Sequence, residues 1–186
     1  MEKLVLVEPE QPENTGFIAR LCENFDADLR IVNPGFNLSE ARKTANNAQE
    51  KIREARIYES FQEAIEDLEH VVGTKPGRGS PLKQFKPREN TSLVIGRESS
   101  GLTNEELEKC DATVHIETGE YDSVNQSHAA AILMHSFYTH EEGEAGVGKL
   151  EAIQKDVGEN TMELLKRSSP TEEEVRAVIA EVKQKG

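Results

Sequence analysis

The sequence is poor in cysteine and in long apolar runs, and each of these shortages excludes a class of protein. Its two cysteines, Cys22 and Cys110, give no disulfide framework and no zinc spacing, so each is expected to be a small buried residue in a reducing compartment. No apolar run approaches the ~20 residues of a transmembrane helix. The N-terminus passes directly into the strand-like run 4–7, unlike a signal peptide. We therefore expect a cytoplasmic protein with no membrane partner.

Motifs for nucleotide and metal chemistry are missing too. No predicted strand is followed by a P-loop or by Gly-x-Gly-x-x-Gly, which disfavours phosphate-cradling nucleotide chemistry. The histidines have no metal-ligand spacing, so no metal is expected, and His128, His135 and His140 are interpreted as helix-surface or partner-facing residues.

Positive charge is scarce as well. The chain has 22 basic and 35 acidic residues and a formal net charge of −13, which is unfavourable for binding nucleic acid over the whole surface. Either a salt-rich cytoplasm or ordinary solubility accounts for this acidic excess. The exception is one loop: five basic residues and no acidic one lie between Lys75 and Arg88. This basic loop is either a flexible solvated segment or a local site for a polyanion.

What the sequence does contain is an alternation of strand and helix patterns. Short apolar runs predict strands, and capping boxes at Ser60 and Thr103 open two of the helices between them. Such alternation predicts a parallel six-stranded sheet with helices on both faces, and ligands bind at the carboxyl ends of its strands. The predicted strands are 4–7, 29–32, 56–58, 70–73, 93–95 and 113–116, and the helices include 15–24, 39–48, 60–68, 103–109 and 126–138.

The length of 186 residues fits one domain with an appendage. The expected division is a domain at 1–140, a Gly- and Glu-rich linker at 141–148 and a helical extension at 149–186. The extension is interpreted as a packing or dimer-contact element.

The stretch from Asp122 to Tyr138 opens with small polar residues and runs into an apolar helical pattern. Ser123 and Asn125 stand where the helix begins, so they either cap it or present a ligand site at its N-terminus. The spacing predicts a buried helix face. Its expected members are Ala129, Ile132, Leu133, Ser136 and Phe137.

Three polar turns stand out together: Asn14 with Arg20 on the first helix, Gly-Arg-Glu-Ser-Ser-Gly at 96–101, and Ser-Val-Asn at 123–125. In this order, and on these strand ends, they resemble the SpoU/TrmH-type ribose methyltransferases of the trefoil-knot (SPOUT) superfamily. The resemblance covers roughly residues 4–138. Val-Asn-Pro at 32–34, Val-Val-Gly-Thr at 71–74 and Gly-Leu-Thr-Asn-Glu-Glu-Leu at 101–107 look closest to the branch that methylates the tRNA anticodon loop.

The resemblance implies an S-adenosylmethionine-dependent methyltransferase that modifies a ribose 2′-OH of tRNA or ribosomal RNA. It also implies a deep C-terminal trefoil knot and a homodimer, in which Arg20 of one subunit works beside the cofactor of the other and Asn14 and Arg20 form the wall opposite Ser123 and Asn125. Arg20 would contact the RNA phosphate. A role as general base is harder to accept for a guanidinium, which is essentially always protonated.

By the same resemblance, the expected catalytic residues are Asn14, Arg20, Glu98, Ser123 and Asn125. The expected cofactor-binding residues are Thr74, Lys75, Ile95, Gly96, Glu98, Ile116, Val124 and Asn125. The expected RNA-binding residues are Arg20, Lys75, Arg78, Lys83, Lys86 and Arg88. The cytidine or uridine at position 32 of tRNA is the leading target. A wobble-position or rRNA target, and a non-catalytic knotted RNA-binding protein, stay open.

This sequence departs from the family pattern at three residues. Gln126 and His128 stand where family members usually carry small or apolar residues, and Pro76 interrupts the basic loop. These departures bear on target choice more than on chemistry.

Overall fold

The computed structural model describes residues 3–150 and Ala180, with the backbone alone over 139–150. It divides into two compact units, Met1–Phe137 and Tyr138–Gly186. The first unit holds a seven-stranded sheet. The strands are β1 (Lys3–Val7), β2 (Asp28–Val32), β3 (Arg56–Tyr58), β4 (His70–Thr74), β5 (Ser80–Pro81), β6 (Thr91–Ile95) and β7 (Ala112–His115).

All strand pairs in this sheet are parallel, and their order is β3-β2-β1-β6-β4-β7-β5. The six predicted strands are confirmed. The predicted strand number is wrong by one, because Ser80 and Pro81 in the basic loop pair with Val114 and His115 of β7. Two residues without an apolar pattern give no strand signal in the sequence.

Side chains alternate across the sheet and build a core on each face. Leu4 and Leu6 of β1 belong to one apolar cluster, and Val5 and Val7 belong to the other. α1 (Pro12–Asn24), α2 (Leu38–Ala45) and α3 (Gln49–Glu54) contribute side chains to the first cluster, together with the start of α6 (Gln126–Leu150); α4 (Phe61–Ile65) covers the second. The prediction of helices on both faces is confirmed.

α5 (Asn104–Glu108) begins at Thr103 with both hydrogen bonds of a capping box, as predicted. The predicted single helix over 39–48 is wrong in detail. It ends at Ala45, because Asn46 adopts a positive φ of 48°, and a 3₁₀ turn leads into α3.

The buried face of α6 differs from the predicted one. Leu133 and Phe137 are buried as expected, but Ile132 is 44% exposed. Ala130 and Met134 are buried as well. The buried residues therefore have helical spacing, but the buried face is rotated by about one residue from the predicted face.

The backbone of α6 continues to Leu150, so residues 141–148, predicted as a linker, are helical. The division into a domain, a linker and a helical extension stays a prediction, and nearly all of residues 149–186 lie outside the described part. Within that part, no helix has the length and apolarity needed to cross a membrane.

Candidate active site

A cleft of about 340 Å³ opens at the carboxyl ends of β4, β6 and β7. Such ends of neighbouring parallel strands meet at one edge of a sheet, where ligands of this fold class bind. Most of the predicted cofactor residues meet here. The cleft is lined by Thr74, Lys75, Ile95, Gly96, Glu98, Ile116, Ser123, Val124 and Gln126, among others.

The turn that follows β6 forms one wall of the cleft. Gly101 returns its N–H to the Arg97 carbonyl at 2.9 Å and adopts a φ of +66°. A Cβ at Gly96 would lie 2.3 Å from the Gly101 carbonyl carbon and from the Leu102 nitrogen. Real Cβ atoms essentially never come that close to backbone, so only glycine at position 96 allows the turn to close.

Arg97 fastens this turn to two other elements. Its Nε donates to Glu8, just after β1, at 2.7 Å, and its two terminal nitrogens donate to Glu106 of α5 at 3.0 and 2.9 Å. Burial alone would raise the pKa of Glu106, but hydrogen bonds from Arg97 and Thr103 outweigh it and hold that pKa below its usual value. The carboxylate therefore stays ionised at neutral pH, and the turn is held by charge-assisted bonds.

Glu98 joins this turn to the beginning of α1. Its carboxylate accepts from the backbone N–H groups of Glu10 and Gln11 at 2.8 and 3.2 Å and from Asn14 Nδ2 at 3.2 Å. In return, the Glu10 carboxylate accepts from the backbone and hydroxyl of Ser99. A carboxylate at this position accepts hydrogen bonds from free N–H groups, and its negative charge interacts favourably with the positive end of the helix dipole.

The sequence predicts that this helix begins at Thr15 with Asn14 or Thr15 as its cap, and both the start and the cap are wrong. The helix begins at Pro12, and Asn14 is a buried residue inside its first turn. Proline is favoured at the first helical position, where its missing N–H has no intrahelical partner.

Asn125 joins the start of α6 to the same network. Its Nδ2 donates to Asn14 Oδ1 at 3.3 Å, and its Oδ1 accepts from Ser127 N at 2.9 Å and Ser127 Oγ at 2.8 Å. Asn125 is thus both a helix cap and a link to Asn14. Ser123 is exposed and lines the cleft. The expectation that Asn14 comes from a neighbouring subunit is wrong, because its partners Glu98 and Asn125 belong to its own chain.

Arg20 lies in a second concavity, a groove of about 400 Å³ between α1 and the start of α6. Arg20 is exposed and makes no hydrogen bond or ion pair within the described residues. It is not among the residues that line the cleft. The hydrogen-bond network Glu98–Asn14–Asn125 connects the cleft to the groove. The groove is lined by Asn14, Phe17, Arg20, Leu21, Asn24, Asn125, Ser127, His128 and Ala131.

The basic loop has both exposed and engaged cations. Lys75 Nζ donates to the Leu102 carbonyl at 2.5 Å, and Arg78 donates to the Asn104 side chain at 3.3 Å. Lys83 lies 3.9 Å from Glu117 and is 83% exposed, so this ion pair is weak. Lys86 and Arg88 are exposed.

Arg97 was missed as a site residue in the sequence, and Gln126 was noted only as a departure from the family pattern. Arg97 joins Glu8, 89 positions earlier, and Gln126 donates to the Gly96 carbonyl, 30 positions earlier. Only the capping box from Thr103 to Glu106 is a local signal, and it does not reveal the bond from Glu106 to Arg97.

Comparison with known proteins agrees with this fold. Residues 2–135 match the model of the "SpoU rRNA Methylase family". That match covers well over half of the chain, which therefore belongs to this family.

Two curated relatives are named tRNA (cytidine-2′-O-)-methyltransferase TrmJ. The one from Methanocaldococcus jannaschii is 39% identical over an alignment of 156 residues that covers 75% of this chain and 68% of the relative. The one from Sulfolobus acidocaldarius is 32% identical over an alignment of 166 residues that covers 81% of this chain and 71% of the relative. A solved structure described as "Structural insights into the 2-OH methylation of C/U34 on tRNA" is 28% identical, has a TM-score of 0.71, and is matched over 97% of its length and 77% of this chain. The predicted resemblance is confirmed.

Proposed function

We propose that this chain is an S-adenosylmethionine-dependent RNA 2′-O-ribose methyltransferase that acts on tRNA. The observation that carries the proposal is the network Glu98–Asn14–Asn125, which joins a ligand-sized cleft to a groove holding the exposed guanidinium of Arg20. Family membership and two relatives named as tRNA ribose methyltransferases support the reaction class.

The cleft fits the cofactor in size and in chemistry. Its volume lies within the range of about 300–1,000 Å³ that small-molecule sites occupy. Ile95, Ile116 and Val124 offer apolar contact to a purine, and the backbone around Thr74 and Gly96 offers polar groups. When bound, S-adenosylmethionine supplies an electrophilic methyl group on a sulfonium. The residues that would hold it are Thr74, Lys75, Ile95, Gly96, Ile116 and Val124.

Arg20 is assigned to the RNA rather than to the cofactor. A guanidinium remains protonated at any physiological pH, so Arg20 clamps a phosphate and does not accept the 2′-OH proton; that proton passes to water, and the charge of Arg20 stabilises the 2′-oxygen as the proton leaves. Asn14 is oriented by Glu98 and Asn125, and it fixes the first turn of the helix that carries Arg20. Alignment of the 2′-oxygen, more than proton removal, is the task of these residues.

The leading target is the cytidine or uridine at position 32 of the tRNA anticodon loop. Two relatives, with sequence identities of 39% and 32% to this chain, are named as methyltransferases of tRNA cytidine. A wobble nucleotide is the second candidate, favoured by the 28% identical structure described for C/U34. A cytoplasmic location, expected for an enzyme that modifies tRNA, belongs to the same proposal.

A homodimer through α1 and α6 completes the proposed active site. Phe17 on α1 and Ile132 on α6 are each 44% exposed, on the two helices that border the groove. Contiguous apolar patches on a surface mark interfaces, and a partner that covers both helices would bury these two side chains. Since Arg20 does not line the cleft of its own chain, a partner brings it beside the cofactor.

The trefoil knot belongs to the same proposal, supported by family membership and by the bond from Gln126 in α6 to Gly96 after β6.

Methyl transfer tests this function directly. Calorimetry with S-adenosylmethionine is expected to show binding, and labelled methyl groups are expected in tRNA transcripts with cytidine or uridine at position 32. Mapping the modified nucleotide separates position 32 from position 34, and a ribosomal RNA fragment serves as the competing substrate. A wild-type chain that binds no S-adenosylmethionine would remove the enzyme proposal altogether.

The basic loop is expected to bind the tRNA backbone. Replacing Arg78 and Lys86 with glutamine should weaken tRNA binding and make the slope of log K against log salt shallower by about 0.7–0.9 for each phosphate that the loop no longer neutralises. Filter binding at several salt concentrations measures that slope. Affinity for S-adenosylmethionine should stay unchanged.

The matched control replaces two exposed cations outside the loop, Lys43 and Arg56, with glutamine. Both double variants change the net charge equally. If the control lowers the salt slope as much as the loop variant does, the loop is only a contributor to overall charge and not a binding surface.

A further inference from the structure

Gln126 is a buried polar residue in the wall of the cleft. It is the first residue of α6 and only 6% exposed. Its Nε2 donates to the Gly96 carbonyl at 2.8 Å. This bond ties the start of α6 to the one backbone position after β6 at which no side chain fits.

The bond to Gly96 fixes which way the Gln126 amide faces. The reversed amide would set its carbonyl oxygen against the Gly96 carbonyl oxygen, and two acceptors repel each other. The atom left over is therefore Oε1, which is buried and has no hydrogen-bond partner among the described residues. A buried acceptor without a donor is destabilising, and such groups in native structures call for an explanation.

An apolar side chain of similar size would fill the same space without that penalty. Gln126 is also one of the two residues, with His128, that depart from the small or apolar type expected at these positions. The cleft that Gln126 lines is the one assigned to S-adenosylmethionine, a molecule with an amino group on its purine and two ribose hydroxyls as donors. A ligand donor reaching Oε1 would remove the penalty only when the cleft is filled.

We infer that Gln126 is a positioning residue of the cofactor cleft. Its Nε2 holds the Gly96 carbonyl in place, and its Oε1 accepts a hydrogen bond from the nucleoside part of bound S-adenosylmethionine. The inference rests on the proposed function, since it takes S-adenosylmethionine as the occupant of the cleft.

Two variants separate this role from simple packing. Gln126→Met keeps the length of the side chain and removes both polar atoms. Its dissociation constant for S-adenosylmethionine is expected to rise about tenfold or more, while the thermal midpoint without ligand stays within about 3 °C of wild type. The extra stabilisation that the ligand gives to the wild-type chain should shrink in parallel.

Gln126→Glu adds a second measurement, the pH dependence of S-adenosylmethionine affinity, which a role in packing alone would not change. An ionised carboxylate repels the Gly96 carbonyl, whereas a protonated one donates to it and keeps a carbonyl oxygen as acceptor. Burial raises the pKa of a carboxyl, so affinity relative to wild type should recover as the pH is lowered from about 8 to about 5.5. Gln62→Met, at an exposed position of α4, is the matched control and should bind like wild type.

A methionine variant with wild-type affinity, or one whose only defect is a lower thermal midpoint, overturns the positioning role and leaves the enzyme proposal standing. If that variant does not fold, the glutamate variant decides, and a relative affinity that does not change with pH overturns the inference. A wild-type chain that binds no S-adenosylmethionine defeats the proposed function itself.

Discussion

Replacing Arg20 with alanine is expected to reduce methyl transfer by about 10²- to 10³-fold while the affinity for S-adenosylmethionine stays near the wild-type value. Arg20 is exposed, has no protein partner in the described part of the chain and does not line the cleft. Its removal therefore breaks no hydrogen bond or ion pair there, and the damage falls on the interaction with RNA. Single-turnover transfer and calorimetry measure the two quantities separately.

Two further variants make this prediction specific. Arg20→Lys keeps the charge but loses the planar fork that pairs with a phosphate, so it should recover only part of the activity. Arg56→Ala, at another exposed arginine, should be fully active. If Arg20→Ala loses cofactor binding instead, Arg20 belongs to the cleft and its assignment to RNA is wrong.

The sheet was predictable because its strands carry local apolar signals. Residues 4–7 and 93–95 are short continuous apolar runs, as strands buried on both faces require, and residues 29–32 are apolar except for Arg30. β5 gave no such signal, since its existence depends only on pairing with β7, more than 30 positions later. The buried face of α6 was also not predicted correctly. Ile132 keeps helical spacing with Ala129, and Met134 keeps it with Ala130, so the apolar pattern alone does not decide which of the two is buried.

The site was predictable as a set of residues but not as an arrangement. Asn14, Glu98 and Asn125 were recognised by resemblance, and the structure brings them together. Their separations along the chain are 84 and 111 positions, so no spacing rule could show which side chains touch. Asn14 looked like a cap because capping residues are recognised locally, whereas the acceptor at this helix start is Glu98.

Gly96→Ala is expected to abolish detectable binding of S-adenosylmethionine, a loss of about 10²-fold or more. The added Cβ would lie 2.3 Å from backbone atoms of Gly101 and Leu102, and backbone cannot move aside as a flexible side chain can. The turn would open, and it would pull on Arg97 and on the carbonyl that Gln126 holds. Calorimetry measures the binding, and urea unfolding measures the accompanying loss of stability.

Gly101→Ala is the matched comparison for this prediction. A Cβ there meets nothing within 4 Å, but the backbone has a φ of +66° that favours glycine. This variant should lose about 1 kcal/mol of stability and keep most of its cofactor affinity. Equal binding defects in the two variants would show that general strain in the turn, rather than the close approach at Gly96, governs the cleft.

The pair Gly96→Ala and Arg20→Ala also tests whether two subunits share a site. In a mixed dimer, the Arg20→Ala chain supplies an intact cleft and the Gly96→Ala chain supplies an intact Arg20. Equal mixing by co-expression should then restore about one quarter of the wild-type activity, because half of the dimers are mixed and each has one complete site. A mixture as inactive as its parents would mean that Arg20 serves the cleft of its own chain or that the Gly96 variant does not assemble, and size-exclusion chromatography of that variant separates these two results.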